Sequence, residues 1–429
     1  MWDQLPELIL THIFRYLGRG DRVNAGQVCR SWNQAMSSPV LWRSVTILVD
    51  RDLRGDFPLA GEQVVKYGQH MRSLELAWSR PYMLPRSRLA RNLQAEAGAE
   101  FLAVLRLKDV QLKELVLTDW VFGCKWGNRG KLLYVLAKFL GGQHNLEVLS
   151  LLNANLGVSD VLRLLGTVAK SCGEHLASLD LRGAFREWQA PHSNPRYLRL
   201  LGRLHALTTL KLDYPALSDN ALNALASASP KVLRSLHISV RDSDSRQHTV
   251  ADTAWRNLAI ACPNLTVSYT IVNISHYEDM CYLLLPSVPL ARFQMFSGHV
   301  WDQSRSRNFR STVGLLITHY TNTLAEVMLQ LRNNRELLDD LLVSMLVRCK
   351  HLTQLQYDGI IRSLDTLREI CQLQADCKTC FKTIHVKPRN VNPQNRAVLD
   401  DITYQFDRKM IEQGVDFRIE DPASVLVFY

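Results

Sequence analysis

Leu146-Glu147-Val148-Leu149-Ser150-Leu151, Leu176-Ala177-Ser178-Leu179-Asp180-Leu181 and Leu207-Thr208-Thr209-Leu210-Lys211-Leu212 are three copies of one pattern, Leu-x-x-Leu-x-Leu. Copies also run from Leu112 to Leu117 and from Leu233 to Ile238, and Met71 to Leu76 is the first of the series. Looser copies start at Leu265, Leu290, Leu324, Leu352 and Phe381. Alternation in Leu-x-Leu predicts a short strand with its leucines on one face. Between strands, apolar residues recur at helical spacing over 132–140, 159–172 and 218–227. Ser218-Asp219-Asn220 and Ser159-Asp160 are good helix starts. From Leu112 onward the copies come about every 30 residues, so each strand–helix pair has the same job as its neighbours.

This period resembles the leucine-rich repeat family. The resemblance implies an α/β solenoid over residues 47–387: a curved parallel sheet with outer helices, burying one core that no single repeat could. The pattern departs from that family after the strand. The usual turn-tying Asn is replaced by Ala154, Ala184 and Pro215, and spacings run from about 25 to about 41 residues. An irregular arc is therefore expected, with inserts at 80–91 and 297–310. A doubly wound nucleotide-binding fold is the alternative architecture, but no Gly-rich loop follows a strand.

The first 46 residues carry a different signal. Ile9, Ile13 and Leu17 lie four apart, with Leu10 and Phe14 beside them, which predicts one broad apolar helix face. Leu5-Pro6 precedes it, Gly18 and Gly20 end it, and Asp21 is the expected cap of a second helix carrying Val23, Val28, Cys29 and Trp32. Pro39 starts a third helix with Leu41 and Trp42. In this order and spacing the series resembles the F-box, a three-helix module. The resemblance implies docking on a Skp-type adaptor through Leu5, Pro6, Ile9, Leu10, Ile13, Phe14 and Leu17, with Trp32 and Trp42 also assigned to that site. It further implies a cullin–RING ligase core as an indirect partner and a protein substrate on the repeats. The series begins almost at Met1, so no targeting or dimerisation segment is expected before it.

Nine scattered cysteines in 429 residues point to reduced thiols rather than a disulfide framework, which favours the cytoplasm or nucleus. No run of 18 apolar residues exists, and no signal peptide is evident. A net charge of +10 allows an acidic or nucleic-acid partner, yet the basic residues are dispersed, so nucleic acid is not the favoured partner. No catalytic constellation or cofactor motif stands out. Cys377 and Cys380, with Cys371 and His385 nearby, are the one metal-like group. The second tight ligand pair is missing, so no metal is assigned.

Substrate is expected on outward strand residues: Glu114, Glu147, Asp180, Lys211, Arg234 and His237, with Ser150 beside them. Residues 388–429 are expected to form a cap or tail, with Val425–Tyr429 packing on the last repeat or shaping the substrate face. The reading is a non-catalytic substrate receptor of an SCF-type ubiquitin ligase. A repeat scaffold without ubiquitin transfer is the alternative, and it leaves Leu5-Pro6 and Ile13-Phe14 without a purpose.

Overall fold

A computed structural model describes residues 4–53, 59–77, 88–119, 127–186, 189–242, 244, 248–274, 277–297, 308–333, 336–389 and 393–420. Both expected inserts, 80–91 and 297–310, fall largely outside these residues, and Val425–Tyr429 does so entirely. The chain divides into two compact units, 1–210 and 211–429, the division falling within one strand.

The first unit opens with α1 (Glu7–Phe14), α2 (Arg19–Gly26), α3 (Arg30–Met36) and a 3-10 turn, Pro39–Trp42. The repeats follow: β1 (Ser44–Leu48), α4 (Val49–Asp52), α5 (Leu59–Tyr67), β2 (Ser73–Ala77), α6 (Arg88–Leu107), β3 (Glu114–Leu117), α7 (Gly127–Gly141), β4 (Val148–Ser150), α8 (Val158–Ser171), β5 (Ser178–Asp180), α9 (Pro195–Leu201) and β6 (Thr209–Asp213). β1 to β5 pair in chain order, all parallel. Leu74, Leu115, Leu149 and Leu179 share one register row and are fully buried. Val161, Leu162, Leu164, Leu165 and Val168 of α8 are buried as well. Each such leucine contributes about 1.5–3 kcal/mol when buried, and a stacked neighbour is needed to bury it.

The second unit holds α10 (Asp219–Ala228), β7 (Ser235–Arg241), α11 (Asp252–Ala261), β8 (Thr266–Val272), α12 (Tyr277–Leu283), β9 (Leu290–Phe296), α13 (Phe309–His319), β10 (Glu326–Gln330), α14 (Asp339–Arg348), β11 (Gln354–Gly359), α15 (Leu364–Ala375), β12 (Thr383–Pro388), α16 (Pro393–Glu412) and β13 (Asp416–Ile419). β7 to β13 are likewise parallel and in chain order. The architecture is thus a helical module followed by an α/β solenoid-like strand–helix repeat.

Two strands lie beyond the leucine pattern. β1 reads Trp42-x-x-Val45-x-Ile47, and β13 reads Val415-x-Phe417-x-Ile419. Branched and aromatic residues replace leucine there without changing the alternation that a parallel strand needs. β1 therefore begins inside the segment 1–46, and α16 with β13 adds a further repeat inside 388–429.

The turn after the strand is tied one residue earlier than the sequence pattern suggests. Asp119, Asn153 and Gly183 each follow their strand's last leucine by two positions, at φ 56°, 57° and 62°. Asn153 Nδ2 donates to Asp119 Oδ1 at 2.8 Å, and the Asn153 N–H donates to the Arg182 carbonyl at 2.8 Å. A Cβ on Gly183 would lie 2.4 Å from Asn153 Oδ1, so glycine is required there. In the second unit buried Asn333 does the same work. Its Oδ1 accepts from Ile360 N (2.8 Å), and its Nδ2 faces the Ile360 carbonyl (3.1 Å) and Tyr357 hydroxyl (3.2 Å). We expect Asn333→Ala to lose about 2 kcal/mol in urea unfolding, because the Ile360 N–H is left without its partner. Asn333→Asp should lose a comparable amount, since a carboxylate accepts but cannot donate to Ile360 O.

Helix starts are capped across repeats. Ser218 caps α10 as its sequence predicts, accepting from Ala221 N at 3.2 Å. Ser159 does not cap α8: that helix begins at Val158, whose N–H donates to Gln189 Oε1 of the next repeat. Asp219, Asp252 and Asp339 each accept backbone N–H groups just before a following helix or strand, at Ala251, Ser287, and Arg362 with Ser363. Acidic residues in one helix's first turn thereby order the chain of its neighbour.

Candidate functional site

α1 spans only two turns, because Arg15 to Leu17 leave the helix. Pro6 sits just before it, and its carbonyl accepts from Ile9 and Leu10. Leu10 and Phe14, one turn apart, point inward with Thr11. Phe14 packs edge-on against Trp32 of α3, with ring centroids 5.2 Å apart. The opposite side is apolar and open: Leu8 is 82% exposed, Ile9 46%, Ile13 37% and Tyr16 80%. The His12 ring stands edge-on to Tyr16 at 5.6 Å, extending that strip. A two-turn helix that is apolar on both sides has one side for its own core and one left over.

Arg22 holds this module together. Its guanidinium donates to the carbonyls of Phe14 (3.1 Å), Leu17 (3.0 Å), Arg15 (3.2 Å) and Leu41 (2.6 Å). A cation at the end of α1 meets the helix's unpaired carbonyls and its negative dipole end. Burial removes the guanidinium from water and lowers the Arg22 pKa. Trp42 stacks on Tyr67 of α5 at 4.3 Å with planes 5° apart, and its indole N–H donates to the Met36 carbonyl at 2.8 Å.

The nine residues expected at the adaptor surface therefore separate. Pro6, Ile9 and Ile13 are exposed, while Leu5, Leu17 and Trp32 are half-buried. Leu10, Phe14 and Trp42 are core residues, a correction that follows from the 100° step of the helix and the indole's stacking on α5. Leu8 and Tyr16 were missed; the signal available was the row Leu8, His12, Tyr16 at i, i+4. The second expected helix is two, broken at Cys29, whose φ of −158° is extended. α2 starts at Arg19, so Asp21 lies in its first turn rather than at its cap. The third is the 3-10 turn.

The outward strand face is polar and largely self-paired. In the first unit Ser73 donates to Glu114 at 2.8 Å, and Thr46 to Glu75 at 3.1 Å. Asp180 is buried and clasped by Arg182 through both oxygens, at 3.0 and 2.7 Å. Ser150 lies beside Asp180 in register, on the same face and buried. Glu147 precedes β4 and pairs with Lys113 at 2.6 Å; the outward strand position is Val148. In the second unit Lys211 sits half-buried on β6, and His237 on β7 lies 2.9 Å from Ser235 Oγ. Arg234 is exposed one residue before β7. Two of the six candidates, Glu147 and Arg234, thus lie just before strands rather than on them.

Cys371 is buried in α15, which pushes its thiol up to about 12, and His385 instead bonds Asp416 at 2.9 Å. Among the described residues no three His, Cys, Asp or Glu side chains gather as a metal site, and no helix is long and apolar enough to cross a membrane.

An open apolar helix on a small helical module, ahead of strand–helix repeats with a polar strand face, defines a class: a docking module joined to a repeat-built binding surface. Residues 2–48 match the F-box-like family. Over 362 residues the chain is 26% identical to F-box/LRR-repeat protein 8 of Bos taurus, covering 84% of this chain and 90% of that protein. The Homo sapiens protein of the same name is 26% identical over 86% of this chain and 92% of its own length. F-box/LRR-repeat protein 21 of Bos taurus is 24% identical over 82% of this chain and 76% of its own length. Over most of its length the chain is thus similar to F-box proteins with leucine-rich repeats.

Proposed function

We propose that the chain is the substrate-recognition subunit of an SCF-type ubiquitin ligase. The exposed strip of Leu8, Ile9 and Ile13 on α1, continued by Tyr16 in the turn after it, carries this reading. It is an apolar surface on a module of the F-box-like family, which implies a Skp-type adaptor. The repeats hold a protein substrate, and a cullin–RING core supplies the charged ubiquitin. The chain itself is non-catalytic; it raises the effective concentration of substrate lysines near the activated carrier. Substrate ubiquitination leads to its degradation, and the site of action is cytoplasmic or nuclear.

The test is co-purification with a Skp-type adaptor. We expect Ile9→Asp with Ile13→Asp to weaken capture at least about 30-fold, because an unpaired carboxylate in an apolar interface costs about 2 kcal/mol or more. The melting temperature should hold, since both side chains are already exposed. A folded wild-type chain that captures no adaptor overturns the reading.

A further inference from the structure

The repeats' positive charge is not evenly spread in the first unit. Its strand face carries Glu75, Glu114 and the paired Asp180. Its helical side carries a cleft of about 780 Å³ between α8 and α9, whose lining includes Arg163, Lys170, Arg196, Arg199 and Arg203 and no carboxylate. Arg163 and Lys170 are seven residues apart on α8, roughly 10 Å along the helix. Arg196, Arg199 and Arg203 make a second row along and just beyond α9. Arg196 lies across the cleft against α8: its Nη2 is 3.5 Å from where a Cβ of Gly166 would stand.

These cations are poorly neutralised. Arg163 meets Asp160 at 3.2 Å, an exposed pair three residues apart, which is weak in water. Arg199 Nε donates to the Pro195 carbonyl at 3.3 Å. The side chains of Lys170, Arg196 and Arg203 have no hydrogen-bond or ion-pair partner among the described residues. The two hydroxyls in the cleft are already directed to backbone carbonyls, Thr167 to Arg163 and Ser171 to Leu140. The cleft therefore presents donors that carry full charge. Gathering five like charges over one heptad raises a strong local potential, which a compact polyanion relieves.

We propose that this cleft binds a ligand bearing clustered phosphate groups. Guanidinium forks match phosphate oxygens two at a time, and two or three phosphates fit the length of the rows. His144 is the one ring in the lining, and no Phe, Tyr or Trp stands beside it, so successive bases of a single strand would find no stacking platform. The same chemistry arises from a free polyphosphate or from a doubly phosphorylated protein segment. The proposal is independent of adaptor docking, because neither Ile9 nor Ile13 lines the cleft, which is far in sequence from α1.

The experiment titrates the full chain at about 150 mM salt, where exposed charges are screened beyond about 8 Å. The probes are tripolyphosphate, a doubly phosphorylated serine peptide and its unphosphorylated form. One variant carries Lys170→Gln, Arg196→Gln and Arg203→Gln. A control of equal charge carries Lys108→Gln, Lys350→Gln and Arg408→Gln, all exposed and outside the cleft. The expected result is binding of at least one phosphorylated probe, weakened tenfold or more in the first variant and unchanged in the control. Tripolyphosphate alone binding points to a small ligand; tighter binding of the phosphopeptide points to a protein segment. No binding of either phosphorylated probe overturns the proposal. So does equal weakening in both variants, which would reveal diffuse attraction, or equal binding of the unphosphorylated peptide.

Discussion

Phe14→Ala is expected to unfold the N-terminal module and to abolish adaptor capture as a consequence. Phe14 is fully buried, stands edge-on to Trp32 and gives its carbonyl to Arg22. Removing a buried phenyl ring costs about 3–5 kcal/mol, and three short helices have little core with which to absorb that loss. Phe14→Leu keeps most of the volume and should cost about 1 kcal/mol. The measurement is tryptophan fluorescence and hydrogen exchange across residues 7–42, alongside adaptor capture. Loss of protection in Phe14→Ala, with near-native protection in Phe14→Leu, is the expected pair. A Phe14→Ala chain that keeps native protection yet loses the adaptor would place this ring at the interface. It would also return Phe14 to the direct role its spacing in the sequence suggests.

Arg389→Ala should be the most damaging single change in the second unit. Asp358 at the end of β11 is buried, and Arg389, just after β12, grips both its oxygens at 2.5 and 2.9 Å. That hydrogen bonding and charge raise the Arg389 pKa. Taking away one partner strands a buried carboxylate, a loss of about 3–5 kcal/mol. Arg389→Lys keeps the charge but not the fork, so an intermediate loss is expected. Replacing both, Asp358→Leu with Arg389→Met, should recover most of the stability, because the desolvation penalty disappears with the pair. Urea unfolding of the four chains checks this. A double variant as unstable as Arg389→Ala would mean that the pair's neighbours, Gly359 and Tyr357, depend on its geometry.

The repeat was legible because leucine alternation is a local property. Leu-x-Leu sets a strand face whatever surrounds it, and all eleven copies read from Met71 to Phe381 lie at strands. The two missed strands, β1 and β13, obey the same alternation with other side chains, so residue identity misled where periodicity would not have. The turn ties were misplaced by one position for a related reason. A motif position shows which residue is usual, whereas Asn153 and Asn333 are identified by where their side chains reach, into a neighbouring repeat about 30 residues away.

By itself, the amino-acid sequence determined the class of this protein: an F-box-like series at the start, then strand–helix repeats. Periodicity and turn chemistry act over a few residues and survive in a linear reading. Only the tertiary structure decided which side of α1 is free. Leu10 and Ile9 are both apolar, and burial against α3 separates them. The fold likewise brought Arg163, Lys170, Arg196 and Arg203 to one cleft from two helices separated by a strand. Charge that is dispersed along a chain becomes a site only when packing sets its carriers side by side, because electrostatic attraction depends on distance in space.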